Sequence, residues 1–259
     1  MKILSLFFIL MLIGCASTTQ DADFSKIFKE KGYDGAFILY NAQSGKYSFH
    51  NEKYVKIRQT PASTFKYLNS LIALETKVIV DEKEMIKWDG KKHSYENWNQ
   101  NLDLTRAFTF SAVWFYQELA RRIGKERMQK YIDAVGYGNR NTGTKIDTFW
   151  LDGSIKISPM EQMDFIRRLA DGKLPFSEKT MQTVRNISIV HKEGDAVVHA
   201  KTGLALRQKD VIGWYAGWVQ KGNKKWFFVL MIKEKGRPKN IFGDRKEITF
   251  SILRNKGIL

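Results

Sequence analysis

"TPASTFKYLNS", residues Thr60–Ser70, is the stretch on which the reading of this chain turns. Proline is favoured at the first position of a helix, where its missing N–H is no loss, and Thr60 just before it is a reasonable N-cap. The pattern predicts a helix beginning at Pro61. On such a helix Ser63 and Lys66 share one face, close enough for their side chains to meet. Ser63 falls in the first turn, where unpaired backbone N–H groups and the positive dipole end favour a developing negative charge. A serine attacking a carbonyl profits from that position. A lysine serves as its base only when neutral, and burial among apolar neighbours such as Phe65, Leu68 and Val113 pushes its pKa down. On this segment alone, a capping serine and an exposed lysine of an ordinary amphipathic helix remain an open alternative.

The flanking sequence places the segment. "DGAFILYN" (Asp34–Asn41) and "GKYSFHN" (Gly45–Asn51) read as two strands joined by a turn at Gln43-Ser44-Gly45. Beyond the Thr60 segment the chain is mostly helical: "SAVWFYQELARRIG" closes on Gly124 and "KERMQKYIDAVG" on Gly136. "SPMEQMDFIRRLADG" opens with the start signals Ser158 and Pro159, and "SEKTMQTVRNI" reads as another helix. Strand patterns return with "DAVVHAKTG", "VIGWYAGWVQ" and "KWFFVLMIK", and "DRKEITFSILRN" closes as a helix. Strands at both ends with helices between do not make a tandem βαβ pattern. They predict an α+β fold: an antiparallel sheet built from both chain ends, flanked by helices and joined to an all-helical part, with a ligand cleft between. The expected division is a sheet subdomain over about residues 21–60 and 190–259 and a helical subdomain over about 61–189, together one catalytic domain spanning 15–259.

Length and composition fit that picture. A chain of 259 residues with 43% hydrophobic residues and seven tryptophans can bury a sizeable core, and its four prolines are scattered. The formal charge is +16, and residues 219–259 alone supply +8 of it, raising nucleic-acid binding as a possibility. The basic residues there are interleaved with apolar positions, as in "KKWFFVLMIK", and no nucleic-acid motif accompanies them. A solvated basic face is the simpler reading, one able to attract anionic small molecules or an anionic envelope surface.

At the N-terminus Lys2 precedes an apolar run from Ile3 to Ile13. The run is short for a bilayer span and fits the core of a secretory signal. "LIGC" resembles a bacterial lipobox, so residues 1–14 are expected to be removed and Cys15 to become the lipidated first residue of an exported, periplasmic, membrane-anchored protein. Ordinary cleavage after Ala16 is the alternative. Cys15 is the only cysteine, so no disulfide forms within the chain.

Ser-x-x-Lys occurs once, at Ser63–Lys66, and Lys-Thr-Gly once, at Lys201-Thr202-Gly203, about 138 residues later with Ser111-Ala112-Val113 between them. That ordered set is far more specific than any member. With Tyr137-Gly138-Asn139, the "FWLDGSIKISP" stretch containing Trp150, and the "GWYAGW" strand after Lys201-Thr202-Gly203, the sequence resembles the penicillin-recognising serine enzymes and, within them, the class D β-lactamases or oxacillinases. The likeness covers nearly the whole mature chain. Class A enzymes are less similar, having Ser-Asp-Asn where this chain has Ser111-Ala112-Val113.

The resemblance implies the β-lactamase/DD-peptidase-like fold and a set of roles. Ser63 would be the acylated nucleophile, and Lys66, carboxylated by CO2 to N6-carboxylysine, the general base of both acylation and deacylation. The indole N–H of Trp150 would hold the carbamate, and Val113 would keep its pocket dry. Ser111 and Lys201 would relay a proton to the departing ring nitrogen, and Thr202 and Gly203 would line the substrate. The backbone N–H groups of Ser63 and Leu204 would form the oxyanion hole. Many relatives carry an aromatic residue where Leu204 stands and "WFVG" where this chain has Trp214-Tyr215-Ala216-Gly217, which puts substrate shape preference in doubt. Arg245 matches the arginine that pairs with the substrate carboxylate, with Arg237 as its competitor. Asn139 reads as structural. His50, His93, His191 and His199 show no metal-ligand spacing, and His199 reads as a strand packing residue.

The implied activity is hydrolysis of β-lactams through an acyl-enzyme, with no metal and no cofactor beyond CO2 or bicarbonate; nucleic acid is not an expected partner. A β-lactam sensor or penicillin-binding module of the same fold, which acylates and then stalls, is the rival, although a sensor needs a membrane-spanning signalling portion. A basic envelope-binding lipoprotein would explain the charge but not the motif set.

Overall fold

The computed structural model of the protein describes residues 18–235 and 240–259, so the expected leader with Cys15, and Arg237, lie outside the described residues. Seven strands form one sheet: β1 (Thr18–Gln20), β2 (Asp34–Asn41), β3 (Lys46–His50), β4 (Ile189–Glu193), β5 (Ala196–Ala205), β6 (Asp210–Lys221) and β7 (Lys224–Lys235). Their spatial order is β1-β3-β2-β7-β6-β5-β4. All neighbours are antiparallel except β1 and β3. The two chain ends meet at β2 and β7, in register from Asp34↔Lys233 to Asn41↔Trp226.

Alternation along the central strands sends side chains to two cores. Phe37 of β2 and Val211, Tyr215 and Val219 of β6 pack with Phe24, Phe28, Ile248 and Ile252 on the outer face. Ile38 of β2 and Ile212, Trp214, Ala216 and Trp218 of β6 pack with Phe65, Phe149 and Trp150 on the inner face. The strands are buried on both sides because helices cover both: Ala22–Lys31 and Ile241–Asn255 outside, and the helical middle of the chain inside.

The helices follow their sequence signals closely. Val113–Ile123 ends before Gly124, and Lys125–Val135 before Gly136, whose φ of 71° is the left-handed cap that glycine adopts without strain. Pro159–Ala170 opens with a full capping box between Ser158 and Glu161, and Glu178–Ile187 is capped by Ser177. The helix Ala22–Lys31 and the edge strands β1 and β4 are additional to the sequence reading. The helix carries ordinary signals, an Asp21 cap and a left-handed Gly32.

Two expectations need correction. Thr60 makes no side-chain cap, and Pro61 does not open an α-helix: Ala62–Phe65 is a 3₁₀ turn and the α-helix runs Lys66–Glu75. Ser111 does not begin a helix but stands between two, in the left-handed region at φ 58°, after Leu104–Phe110 and before Val113.

Much of the basic C-terminal stretch is answered by acids. Lys221 pairs with Asp195 at 3.6 Å, Lys225 with Asp171 at 2.8 Å, Lys233 with Asp210 at 2.7 Å, Arg254 with Glu193 at 2.9 Å and Lys256 with Asp21 at 2.8 Å. Such surface pairs are worth about 0–1 kcal/mol each, but they break up a continuous cationic face. Among the described residues no helix is long and apolar enough to cross a membrane.

Candidate active site

The site is built on the turn that departs from the helix reading. Ala62 has φ 48°, a conformation that costs a non-glycine residue about 1–2 kcal/mol. Tertiary contacts hold it there. The Trp214 indole of β6 donates to the Thr60 carbonyl at 2.9 Å. The Pro61 carbonyl accepts from the Thr64 backbone N–H at 3.2 Å and from the Thr64 hydroxyl at 2.8 Å. Gly203 lies so close that a Cβ there would stand 2.7 Å from the Pro61 carbonyl oxygen. The glycine of Lys-Thr-Gly is therefore what lets β5 press against the serine turn.

Lys66 donates to the Ser63 hydroxyl at 2.9 Å, and its amine lies 5.0 Å from the centre of the Tyr116 ring. The side chain is fully buried, and loss of hydration pushes its pKa down to about 7, so near neutrality a large share is unprotonated. Trp150 is fully buried and stacked on Phe65, the residue before Lys66, at 5.6 Å, and its indole N–H has no partner among the described residues. A buried donor without an acceptor costs about 1–3 kcal/mol, so this is a place where an acceptor oxygen is wanted.

The second serine–lysine pair faces the first. Lys201 donates to the Ser111 hydroxyl at 3.1 Å. The left-handed turn at Ser111 puts its hydroxyl there, while its N–H caps the preceding helix at Ala107 and Phe108. Lys201 is buried, and burial holds its pKa well below the usual lysine range; the charges of Lys66, Arg245 and Lys246 add to the effect. Arg245, on the closing helix, donates to the Gly203 carbonyl at 2.5 Å and to the Ile241 carbonyl at 3.0 Å. Burial lowers its pKa to about 10, which leaves it a cation at neutral pH. Gly213 of β6 makes room for it, since a Cβ there would stand 3.0 Å from the Arg245 Cδ.

These elements enclose a cavity of about 320 Å³. Ser63, Ser111, Val113, Thr202, Gly203, Leu204 and Arg245 all line it, whereas Lys66, Trp150 and Lys201 stand behind its wall. Hollows of about 580 and 440 Å³ elsewhere contain none of the motif residues, so chemistry and not size marks the site. Further wall residues escape the sequence reading: Tyr95, Trp98, Leu206 and Phe242 line the same cavity, and Tyr116 faces the lysine. Single aromatic and aliphatic residues in separate segments carry no motif that would have found them.

Outside the cavity, Asn139 accepts from the Lys156 N–H and donates to the Ser154 carbonyl, both at 2.9 Å, as a loop tie should. His199 stacks on Trp218 at 4.3 Å, and its Nδ1 lies 2.9 Å from the Arg185 carbonyl. Among the described residues no cluster of three or more His, Cys, Asp and Glu is placed to hold a metal.

Residues 35–253 match the penicillin binding protein transpeptidase domain. The chain is 35% identical to the β-lactamase OXA-48 of Klebsiella pneumoniae over the full length of both. It is 33% identical to the regulatory protein BlaR1 of Bacillus licheniformis over 91% of this chain and 39% of that one. The crystal structure of the class D β-lactamase from Sebaldella termitidis superposes with a TM-score of 0.90 at 36% identity, covering 95% of this chain and all of that one.

Proposed function

The chain belongs to the penicillin-binding protein transpeptidase family, on its class D β-lactamase branch, and from that premise we propose that it is a serine β-lactamase that opens the ring of penicillins and related antibiotics. One observation carries the proposal: a buried Lys66 amine 2.9 Å from the hydroxyl of Ser63, which lines a cavity together with a cationic Arg245.

Arg245 and Thr202 take the substrate carboxylate, which turns the lactam carbonyl toward Ser63. The Ser63 oxygen attacks that carbon as its proton passes to the Lys66 side chain, and the backbone N–H groups of Ser63 and Leu204 receive the charge on the carbonyl oxygen. The ring C–N bond then breaks. Its nitrogen takes a proton from the Ser111 hydroxyl, which Lys201 replaces, and an acyl ester remains on Ser63. Water releases the ester in a second step.

CO2 fits the site as the group that completes it. A lysine with a large neutral share can take it up, and the unpartnered Trp150 N–H is the donor such an anion needs, beside a pocket kept dry by Val113. Bound there, it supplies a carboxylate-type base stronger than water and held by Lys66. No metal enters the proposal. The chain is read as one catalytic domain over 15–259, with its sheet part over about 21–60 and 190–259 and its helical part over about 61–189. It follows a leader of residues 1–14, and the protein is exported and anchored through a lipidated Cys15.

Sustained hydrolysis of a chromogenic cephalosporin, followed with intact-mass spectrometry, tests the proposal. Many turnovers with a transient adduct on Ser63 are expected. The likeness to BlaR1 favours one second reading, a receptor that acylates and stalls. A single stoichiometric burst with a lasting adduct would decide for it.

A further inference from the structure

The catalytic cavity has a neighbour. β4 pairs with β5 only as far as Ile189↔His199, so among the described residues β5 has no strand on this side beyond that point. Here lies a second hollow of about 210 Å³, which several waters would fill. Thr109 and Thr202 line both spaces, so the two adjoin. The rest of the second lining is of two kinds. Ile187, Ile189 and Val190 give an apolar wall, with Ile189 39% and Val190 47% exposed. Lys201 and Lys246 give two amines. Lys246 is exposed and makes no ion pair among those formed by the described residues.

We propose that this hollow is a subsite for the substituent beside the carboxylate on the six-membered ring of cephalosporin-type β-lactams, and that it takes an apolar, preferably aromatic group bearing an acid. The inference rests on the β-lactamase reading. With the carboxylate held at Arg245 and Thr202, the ring carbon next to the one that bears it lies beside Thr202. A substituent on that neighbouring carbon leaves the ring toward the shared wall and into the hollow. An aromatic ring there covers Ile189 and Val190, which otherwise face water. An acid at its far end meets Lys246, a cation with no carboxylate of its own. Penicillins carry only two methyl groups at the equivalent carbon and stop short of the hollow.

The test is kcat/KM for three cephalosporins with one acyl side chain and a methyl, styryl or 4-carboxystyryl group at this carbon, alongside benzylpenicillin. Each rate is divided by the compound's alkaline hydrolysis rate to remove intrinsic reactivity. The wild-type protein should favour 4-carboxystyryl over methyl by about tenfold or more, as filling an apolar pocket does. Val190→Trp, which fills the hollow from its exposed rim, should erase that preference and leave benzylpenicillin within about twofold of wild type. Lys246→Ala should lower the 4-carboxystyryl to styryl ratio by about two- to fivefold, the worth of an exposed ion pair. A wild-type preference no larger than the alkaline rates predict would overturn the subsite, as would a Val190→Trp effect equal on all four compounds. Failure to hydrolyse any of them would overturn the β-lactamase reading instead, and the subsite with it.

Discussion

The two buried lysines of the site make a natural comparison. Lys66 and Lys201 each donate to a serine hydroxyl, at 2.9 and 3.1 Å, and neither forms an ion pair among those of the described residues. Both have depressed pKa values, for different reasons. Lys66 is lowered by burial alone, to about 7. Lys201 is lowered by burial together with the charges of Lys66, Arg245 and Lys246. Lys66 thus stands in apolar surroundings, and the Trp150 donor stacked on the adjacent Phe65 has no partner among the described residues, an arrangement suited to gaining an anion. The lysine of β5 stands among cations, suited to passing a proton on. Identical side chains receive different chemistry from what surrounds them.

The largest expected effect removes the group that the first lysine serves. Ser63→Ala should lose at least about 10⁴-fold in β-lactam turnover while folding normally. Intact mass after penicillin exposure checks it: an acyl adduct on this variant would remove Ser63 from its role. Next comes the comparison itself. Lys66→Ala should cost about 10³- to 10⁴-fold, the range of a general base, and bicarbonate should not rescue it. Lys201→Ala should cost less, about 10²-fold, and chiefly in acylation. Single-turnover kinetics on both variants separates the steps, and equal losses in both steps for both lysines would erase the proposed division.

Trp150→Phe keeps the ring and deletes the donor. Its effect should be about 10- to 100-fold, from a hydrogen bond worth about 1–3 kcal/mol to a buried anion. Deacylation should suffer most, and added bicarbonate should restore part of it. Carbon-13 NMR in labelled bicarbonate should show a carbamate signal in the wild type that weakens in the variant; no signal in either would leave Lys66 acting as a free amine.

The last effect is on stability and not on rate. Lys66 has a folded pKa near 7 against 10.5 for the ordinary side chain, so between those values the unfolded chain binds more protons than the folded one. Stability from this group therefore rises with pH across that window, by about 1.4 kcal/mol per pH unit at most, and below pH 7 its cost is fully present. Denaturation of wild type and Lys66→Met from pH 7 to 10 should show the wild type gaining on the variant. A constant difference would mean that Lys66 keeps its proton in the folded protein.

What was legible along the chain follows from how local each signal is. Ser158, Ser177, Gly124 and Gly136 mark helix ends because capping is settled within a turn or two. The central strand stretches of both chain ends read as short continuous apolar runs because both faces are covered, and the helical middle repeats at the helical period, so the sheet and its helices could be read from pattern. The two serine–lysine pairs were visible because their chemistry demands particular residue types, and Ser63 and Lys66 are near neighbours in sequence. The amino-acid order, then, determined the elements, their approximate bounds and the reactive groups.

Tertiary structure alone decided the rest. A local rule puts Pro61 at the head of an α-helix, yet Ala62 is driven to φ 48° because Trp214 claims the Thr60 carbonyl and Gly203 brings β5 against Pro61. Ser111 meets Lys201 across 90 residues only because a left-handed turn between two helices faces β5. Tyr95, Leu206 and Phe242 become one wall because three distant segments converge on the cavity, which no spacing along the chain records. The same holds for the protons. Side-chain identity supplies an amine, but the burial and neighbouring charges that lower its pKa come from packing, and packing is the sum of contacts between residues far apart in sequence.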